Sequence, residues 1–294
     1  MLTQTRAGVL LALGATVGWS ANILFSRMLA EQVPPFTLSL LRSLVALVAF
    51  APFTYKAFLR AWPIIRARPG FYILMSLTGL GYYNSMVYMA GRTTTVVNMS
   101  LLATSSPVFT LLLSRFFLGD PLTPRRILGI LAAVCGIALL TTRGDLALLL
   151  GLRFYIGDVY MIAASLIFAC YTVGIRKKDP DLDNNPLILT TFIVSCIFLL
   201  PMSAWEFASG GVFLVTTQSV IGILYLGLIA SIFCYICWTN AIARIGPGNT
   251  ALIYYLLPVF SGIEAVLILG EPVLWVHFAG GGLIIAGVLT ATRN

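Results

Sequence analysis

Long apolar runs follow one another along almost the whole 294-residue chain, and they constrain its fold more than any other feature. A helix needs about 20 apolar residues to cross the roughly 30 Å hydrocarbon layer of a membrane. Because only 10% of the residues are charged, little chain is left for a soluble domain. The sequence therefore predicts an all-α membrane protein with ten transmembrane helices, at about 7–29, 36–55, 71–91, 95–117, 123–142, 154–175, 187–206, 219–242, 249–269 and 272–291.

The 18 Lys and Arg residues lie mostly between the apolar runs, where they predict the orientation of the chain. If the N-terminus is cytoplasmic, thirteen of them fall in cytoplasmic segments and only four fall in outer segments, namely Arg27, Arg92, Arg143 and Arg153. Cytoplasmic loops of membrane proteins are enriched in Lys and Arg. We therefore predict a multi-pass protein of a bacterial-type inner membrane with both termini in the cytoplasm. The net charge of +8 comes from these Lys and Arg residues, whose positions set the orientation, and it does not indicate a nucleic-acid partner.

The second half of the sequence repeats the first, with a constant offset of 151 residues between 98–136 and 249–287 and an offset near 149 at the start of each copy. Pro-Val-Phe at 107–109 recurs at 258–260, and Leu-Gly-Asp-Pro at 118–121 recurs as Leu-Gly-Glu-Pro at 269–272. Because each copy holds five predicted helices, an odd number, the second copy must enter the membrane from the opposite side. We predict two inverted five-helix repeats, residues 1–146 and 147–294, an arrangement that secondary transporters use for alternating access.

Ten helices in this arrangement, with the repeated Pro-Val-Phe and Leu-Gly-acid-Pro segments, resemble the drug/metabolite transporter superfamily and most closely its EamA-type exporters. The resemblance covers essentially the whole chain, although the first copy has Leu113 where the second has Glu264. It implies export of small metabolites, commonly amino acids. The chain length and the aromatic content of the helices are similar to those of the aromatic amino-acid and methionine exporters of the YddG type.

Two prolines fall about nine residues into predicted helices, at Pro107 and Pro258. A proline inside a helix removes one hydrogen bond and clashes with the carbonyl four residues back. Irregular backbone at membrane depth is tolerated only against protein or a water-filled cavity. We therefore expect kinks here that act in gating, or that line a substrate cavity together with the nearby residues Ser100, Thr104, Tyr254 and Tyr255. A static packing kink is the structural alternative.

Polar and aromatic residues also recur on single faces of the predicted helices. Trp19 and Asn22 share one face of the first helix, and Tyr82 lies on a polar face of the third. Polar groups facing lipid are costly, so these faces should point inward. Such stripes are often ordinary packing, but aromatic walls with few charges also suit a zwitterion with an apolar side chain. The other substrate-binding candidates are Tyr83, Asn84, Tyr88, Tyr171 and Trp238.

Two charged residues, Arg42 and Glu264, fall inside predicted helices, each roughly 8–9 Å from the outer end. They are gating or coupling candidates: they could pair, form an outer gate, or bind a coupling proton at Glu264. Two structural interpretations stay open beside these. Arg42 could extend to the membrane surface, and Glu264 could make a structural hydrogen bond.

Other functional classes lack their motifs. The chain has no phosphate-binding GxxxxGK[ST] loop, one His and no HExxH, so we expect no enzyme, cofactor or metal site. The prediction is a secondary transporter that exports amino acids, aromatic or otherwise apolar, or related small metabolites, by alternating access. A broad drug or quaternary-ammonium exporter and a non-transporting scaffold are the alternatives. The expected partners are a small-molecule substrate and membrane lipid; proton coupling and the choice between monomer and homodimer stay open.

Overall fold

The computed structural model describes residues 2–145, 147–148, 151, 153–269 and 274–292. Every regular element in this part of the chain is helical, as lipid requires of a chain that must satisfy its own backbone. Gly270, Glu271 and Pro272 of the repeated segment lie outside the described residues. The helices are α1 (Leu2–Met28), α2 (Pro35–Ala67), α3 (Pro69–Ser76), α4 (Tyr82–Thr93), α5 (Val96–Ala103), α6 (Ser105–Leu118), α7 (Pro124–Thr141), α8 (Ile156–Arg176), α9 (Asn184–Ala208), α10 (Thr217–Gly227), α11 (Cys234–Ile253), α12 (Leu257–Leu269) and α13 (Trp275–Thr292).

Eight helical stretches within the described ranges are long and apolar enough to cross a membrane. One of them, Thr217–Glu264, has 48 residues, which at about 1.5 Å per residue is far longer than one crossing needs. The backbone of Gly246 breaks this stretch with φ 78° and ψ 163°, a conformation that favours glycine. Pro247 follows at once and starts the next helical segment. The predicted class, an all-α membrane protein, is confirmed.

Irregular turns interrupt the helices in two pairs, and the members of each pair are 151 residues apart. A turn of π-helix, Leu77–Gly81, joins α3 to α4, and another, Leu228–Phe233, joins α10 to α11. Thr104 separates α5 from α6, and a 3-10 turn, Tyr254–Leu256, separates α11 from α12. The last two irregularities lie just before Pro107 and Pro258, where the sequence predicts kinks.

Helices α7 and α13 pack so closely that only glycine fits at four positions. A β-carbon added at Gly129 would lie 2.4 Å from the carbonyl oxygen of Gly287, and one at Gly136 would lie 2.7 Å from that of Gly280. Gly280 and Gly287 are the counterparts of Gly129 and Gly136 in the repeat. Gly129 therefore contacts the counterpart of Gly136, and Gly136 contacts the counterpart of Gly129. This is the pattern of two antiparallel helices related by a two-fold axis.

Two buried carboxylates join helix ends at one end of the bundle. Glu206, near the end of α9, accepts hydrogen bonds from the backbone N–H of Thr37 at 2.7 Å and from its hydroxyl at 2.8 Å. Asp158, in the first turn of α8, accepts from the Thr94 hydroxyl at 2.5 Å and from the side-chain amide of Asn98 at 2.9 Å. Negative charge at the start of a helix is stabilising. These hydrogen bonds therefore join α9 to the start of α2, and α8 to the connection between α4 and α5 and to the first turn of α5.

Candidate functional site

Four buried aromatic side chains surround the buried Trp19, which lies in the second half of α1. The centroid of the Trp19 ring lies 5.1 Å from that of Trp238, 5.6 Å from those of Phe168 and Tyr235, and 6.1 Å from that of Tyr254. Edge-to-face pairs at these separations are favourable. We call these five residues the aromatic cluster. It brings together three of the predicted site residues, Trp19, Trp238 and Tyr254, with Phe168 and Tyr235.

Two further predicted tyrosines border the aromatic cluster. Tyr83 stacks on Phe168 with a centroid separation of 4.6 Å, and Tyr171 lies 6.1 Å from Phe168 and 5.8 Å from Tyr235. The Tyr171 hydroxyl is buried and has no hydrogen-bond partner among the described residues. Leaving a buried hydroxyl unpaired costs about 1–3 kcal/mol. A water or a polar group of a bound molecule would recover that cost.

The two π turns hold the aromatic cluster through backbone carbonyls. A π turn disrupts the regular helical ladder and often marks a functional site. The Trp19 indole N–H donates to the carbonyl of Ala230 at 2.7 Å, and the Tyr235 hydroxyl donates to the carbonyl of Gly79. Gly79 and Ala230 are counterparts in the repeat. The same irregularity in each half therefore fixes one ring of the cluster.

A buried arginine occupies the polar side of the same region. Arg42 is only 1% exposed. Its Nε donates to the Ser231 hydroxyl oxygen at 3.0 Å, and its Nη1 donates to Asn84 Oδ1 at 2.5 Å and to the Tyr88 hydroxyl oxygen at 2.7 Å. The Tyr88 hydroxyl in turn donates to Asn22 Oδ1 at 3.5 Å. The structure thus joins four predicted residues, Arg42, Asn22, Asn84 and Tyr88, into one polar cluster with Ser231.

The polar cluster and the aromatic cluster adjoin each other. Ser231 directly follows Ala230, the acceptor of the Trp19 bond, and Asn84 directly follows Tyr83, which stacks on Phe168. A positive charge therefore lies beside a group of aromatic rings. Sequence reasoning missed Ser231 because no residue pattern marks the π turn that turns its hydroxyl toward Arg42.

The predicted pairing of Arg42 with Glu264 is wrong for this conformation. The Ser20 hydroxyl donates to Glu264, whereas Arg42 binds the neutral side chains just described. The two residues lie at matching depth along their helices, but the helices turn them toward different partners. The interpretation that Arg42 extends to the membrane surface is also wrong, because its guanidinium is buried and bonded. The bond from Ser20 fits the structural interpretation of Glu264.

A second group of predicted residues lies at the two kinks. They line a small cavity of about 10 Å³, room for about one water. The Tyr255 hydroxyl is buried, and within the described chain it has no hydrogen-bond partner. Tyr254 belongs both to this cavity and to the aromatic cluster, so it connects the kinks to the site. The predicted residues in this lining are Ser100, Thr104, Tyr254, Tyr255 and Pro258.

Two predicted residues lie outside these groups. Tyr82 is half-buried at the start of α4, and it makes no ring contact or side-chain hydrogen bond with the rest of the described chain. Pro107 is buried in α6, which packs against α8. A role for Tyr82 in substrate binding and a role for Pro107 in gating stay predictions.

A larger cavity of about 740 Å³ lies at the end of the bundle opposite Glu206 and Asp158. Partial burial lowers the pKa of the Lys178 ammonium in its wall, while the charges of Asp183 and Asp179 oppose that shift. Ile242, also in the wall, lies one helical turn after Trp238 on the same face of α11, so the cavity lies on the side of α11 that carries this ring of the aromatic cluster. Its lining comes from α2, the α8–α9 connection and α11, and includes Ala57, Arg176, Lys178, Asp183, Asn184 and Asn240.

Comparison with curated proteins finds transporters of the same length. The chain is 27% identical to an uncharacterized transporter of Archaeoglobus fulgidus over 99% of both proteins. It is 25% identical to a Salmonella typhimurium protein named "Probable amino-acid metabolite efflux pump", over 97% of this chain and 94% of that protein. It is 28% identical to a Streptantibioticus cattleyicolor protein named "Probable terminal-alkyne amino-acid exporter", over 75% of this chain and 72% of that protein.

The fold has a counterpart among solved crystal structures. One of them matches with a TM-score of 0.75 over 97% of this chain and 96% of the other, at 18% sequence identity, which shows a shared fold. The EamA-like transporter family matches the sequence twice, over residues 6–142 and over residues 155–293. The family and these relatives are transporters and not enzymes. The protein belongs to the EamA-like transporter family.

Proposed function

We propose that the protein is a secondary transporter that exports amino acids with aromatic or other apolar side chains, or related small metabolites, by alternating access. The observation that carries the proposal is the aromatic cluster lying beside the buried Arg42 within the membrane-spanning bundle. Sites for small molecules combine apolar walls with a few fixed polar groups. The names of the Salmonella and Streptantibioticus relatives, an amino-acid metabolite efflux pump and an amino-acid exporter, favour the same substrate class.

We propose further that the chain crosses the membrane ten times, as two inverted repeats of five helices. The break at Gly246 divides the 48-residue stretch into two crossings, and α3 and α4 with their π turn supply one more. Three observations support the repeat: the double family match, the paired irregular turns and the crosswise glycine contacts. The distribution of Lys and Arg supports an inner-membrane protein with both termini in the cytoplasm.

In this orientation the 740 Å³ cavity opens toward the cytoplasm, and the end where Glu206 and Asp158 join the helices faces outward. The structure then corresponds to an inward-facing state, with the substrate site at the inner end of the cavity. Exchange of conformations between the two halves would open the outer end around the same site. The kinks at Pro107 and Pro258 are the proposed moving parts.

Counterflow in proteoliposomes tests the proposed function. Vesicles preloaded with unlabelled phenylalanine, leucine or methionine should accumulate the radiolabelled form of the same amino acid, and protein-free vesicles should not. If no member of an amino-acid panel moves, a scaffold is favoured. If lipophilic cations compete better than zwitterions, a drug exporter is favoured, although the positive charge of Arg42 beside the rings opposes cationic substrates.

Glu264→Gln tests proton coupling, which we propose for this residue. Glutamine can still accept the hydrogen bond from Ser20 but cannot bind a proton, so we expect counterflow to continue and the stimulation of transport by a pH gradient to disappear. Both are measured in the same vesicles with and without the gradient. Ser20→Ala, which removes the bond and keeps the carboxyl group, should retain the stimulation. An unchanged response of Glu264→Gln to the gradient would contradict the coupling role.

A further inference from the structure

The guanidinium of Arg42 uses only part of its hydrogen-bonding capacity. An arginine side chain has five N–H donors. Nε donates one bond and Nη1 donates two, to Ser231, Asn84 and Tyr88. Within the described chain Nη2 donates none, so two N–H groups of a buried cation have no protein acceptor.

The partners of Arg42 are held so that they present oxygen lone pairs to it. The Asn84 side-chain amide donates to the carbonyl of Leu80 at 2.9 Å, which turns its Oδ1 toward the guanidinium. The Ser231 hydroxyl donates to the carbonyl of Leu226 at 2.8 Å and accepts from Arg42. Side chains fixed in this way keep the guanidinium in one orientation, as a preorganised binding group requires.

These partners orient the charge of Arg42 but do not balance it. Buried charges in proteins are normally paired with an opposite charge, and a cation inside a membrane-spanning bundle is expensive without one. No carboxylate in the described part of the chain bonds to Arg42, and Glu264 is occupied by Ser20. The described part of the protein therefore supplies no carboxylate partner for Arg42.

We propose that Arg42 binds the carboxylate of the transported molecule through Nη2, with the apolar side chain of that molecule lying against the aromatic cluster. The assignment rests on the proposed function and narrows its substrate class to carboxylates. Arg42 binds Ser231, the neighbour of Ala230, which holds Trp19, and Asn84, the neighbour of Tyr83, which stacks on Phe168. The guanidinium and the rings are therefore close enough for one small molecule. A single cation balances a carboxylate, whereas a doubly charged phosphate would need more basic groups.

The first test uses the unchanged protein and matched ligands. Phenylalanine, leucine and methionine are compared with their amides, which keep the side chain and the ammonium group but lack the negative charge. Each is assayed for thermal stabilisation of the purified protein in detergent and for competition in counterflow. We expect each acid to bind at least about tenfold more tightly than its amide, a difference of about 1.4 kcal/mol.

The second test removes the charge. Arg42→Gln should abolish the preference for the acid over the amide, and Arg42→Lys should retain part of it because the charge stays while the fork geometry is lost. Arg125→Gln, which changes an exposed arginine at the start of α7, is the matched control and should keep the full preference. If Arg42→Gln does not fold, the comparison of each acid with its amide on the unchanged protein and on Arg42→Lys still tests whether Arg42 binds the carboxylate.

The outcomes separate this inference from the proposed function. If acids and amides bind or move equally well, Arg42 does not take the carboxylate, although amino-acid transport stands. If Arg42→Gln keeps the preference, the carboxylate is bound elsewhere and the inference is overturned. If acids stabilise the unchanged protein but not Arg42→Gln, and nothing moves in vesicles, the site stands and transport fails. If only lipophilic cations bind, both are wrong.

Discussion

Leucine in place of Gly129 is expected to prevent α7 and α13 from packing and to leave little monodisperse protein after extraction from the membrane. The added β-carbon would lie 2.4 Å from the Gly287 carbonyl oxygen, and 2.7 Å from both the backbone nitrogen and the β-carbon of Ala291. Overpacking a core costs typically about 1–3 kcal/mol and more where the neighbour cannot yield. Backbone atoms of a transmembrane helix cannot yield without moving the whole helix, so we expect the upper end of this range or beyond.

Gly282→Leu is the matched control for this prediction. Gly282 lies on α13 within the same glycine-rich run, but nothing lies within 4 Å of the position its β-carbon would take. The variant should therefore elute and unfold like the unchanged protein, as measured by size-exclusion chromatography and thermal unfolding in detergent. Equal behaviour of Gly129→Leu and Gly282→Leu would show that the close contact between α7 and α13 is not needed for folding.

Trp19→Ala is expected to reduce transport at least about tenfold, because it empties the centre of the aromatic cluster. Trp19 contacts the four other rings of the cluster and donates a hydrogen bond to the π turn at Ala230. Truncating a buried tryptophan to alanine costs about 3–5 kcal/mol, so the rings should collapse toward the space left behind. The initial rate of counterflow, normalised to the amount of folded protein, measures the effect.

Trp19→Phe separates the ring from its hydrogen bond. It keeps an aromatic group but loses the N–H, a change of about 1 kcal/mol, so the loss of transport should be about fivefold or less. Trp205→Ala is the control: this tryptophan lies on α9 with its side chain 63% exposed, and its removal should leave the transport rate unchanged. A normal rate for Trp19→Ala would mean that substrate does not contact the cluster.

The sequence predicted those features of the fold that depend on the chemistry of single residues. The kinks before Pro107 and Pro258 follow from the missing proline N–H, and the helical class follows from apolar length. The π turns at Leu77–Gly81 and Leu228–Phe233 were not predicted, because their residues are ordinary helix and membrane residues. What places them is the packing of neighbouring helices, which a single sequence does not display.

The candidate site was also harder to predict where it depends on how neighbouring helices pack. Sequence depth marked Arg42 and Glu264 as unusual charges but left several roles open, a pairing among them, because depth along a helix says nothing about the rotation of that helix. Their actual partners, Ser231 and Ser20, are small hydroxyl residues common in any membrane helix. The meeting of the aromatic residues was easier to predict, because large rings on several helices of a small bundle come into contact near its centre.

Under the proposed exchange of conformations between the two halves, the crosswise contact between α7 and α13 is the part that we expect to stay still. A contact placed on a two-fold axis looks the same after the two halves have exchanged their shapes, so it needs no rearrangement. The close contacts of Gly129 with Gly287 and of Gly136 with Gly280 would then stay fixed while the substrate-binding helices move. Such a fixed contact gives the moving helices a rigid support, which the fluid lipid bilayer around them does not provide.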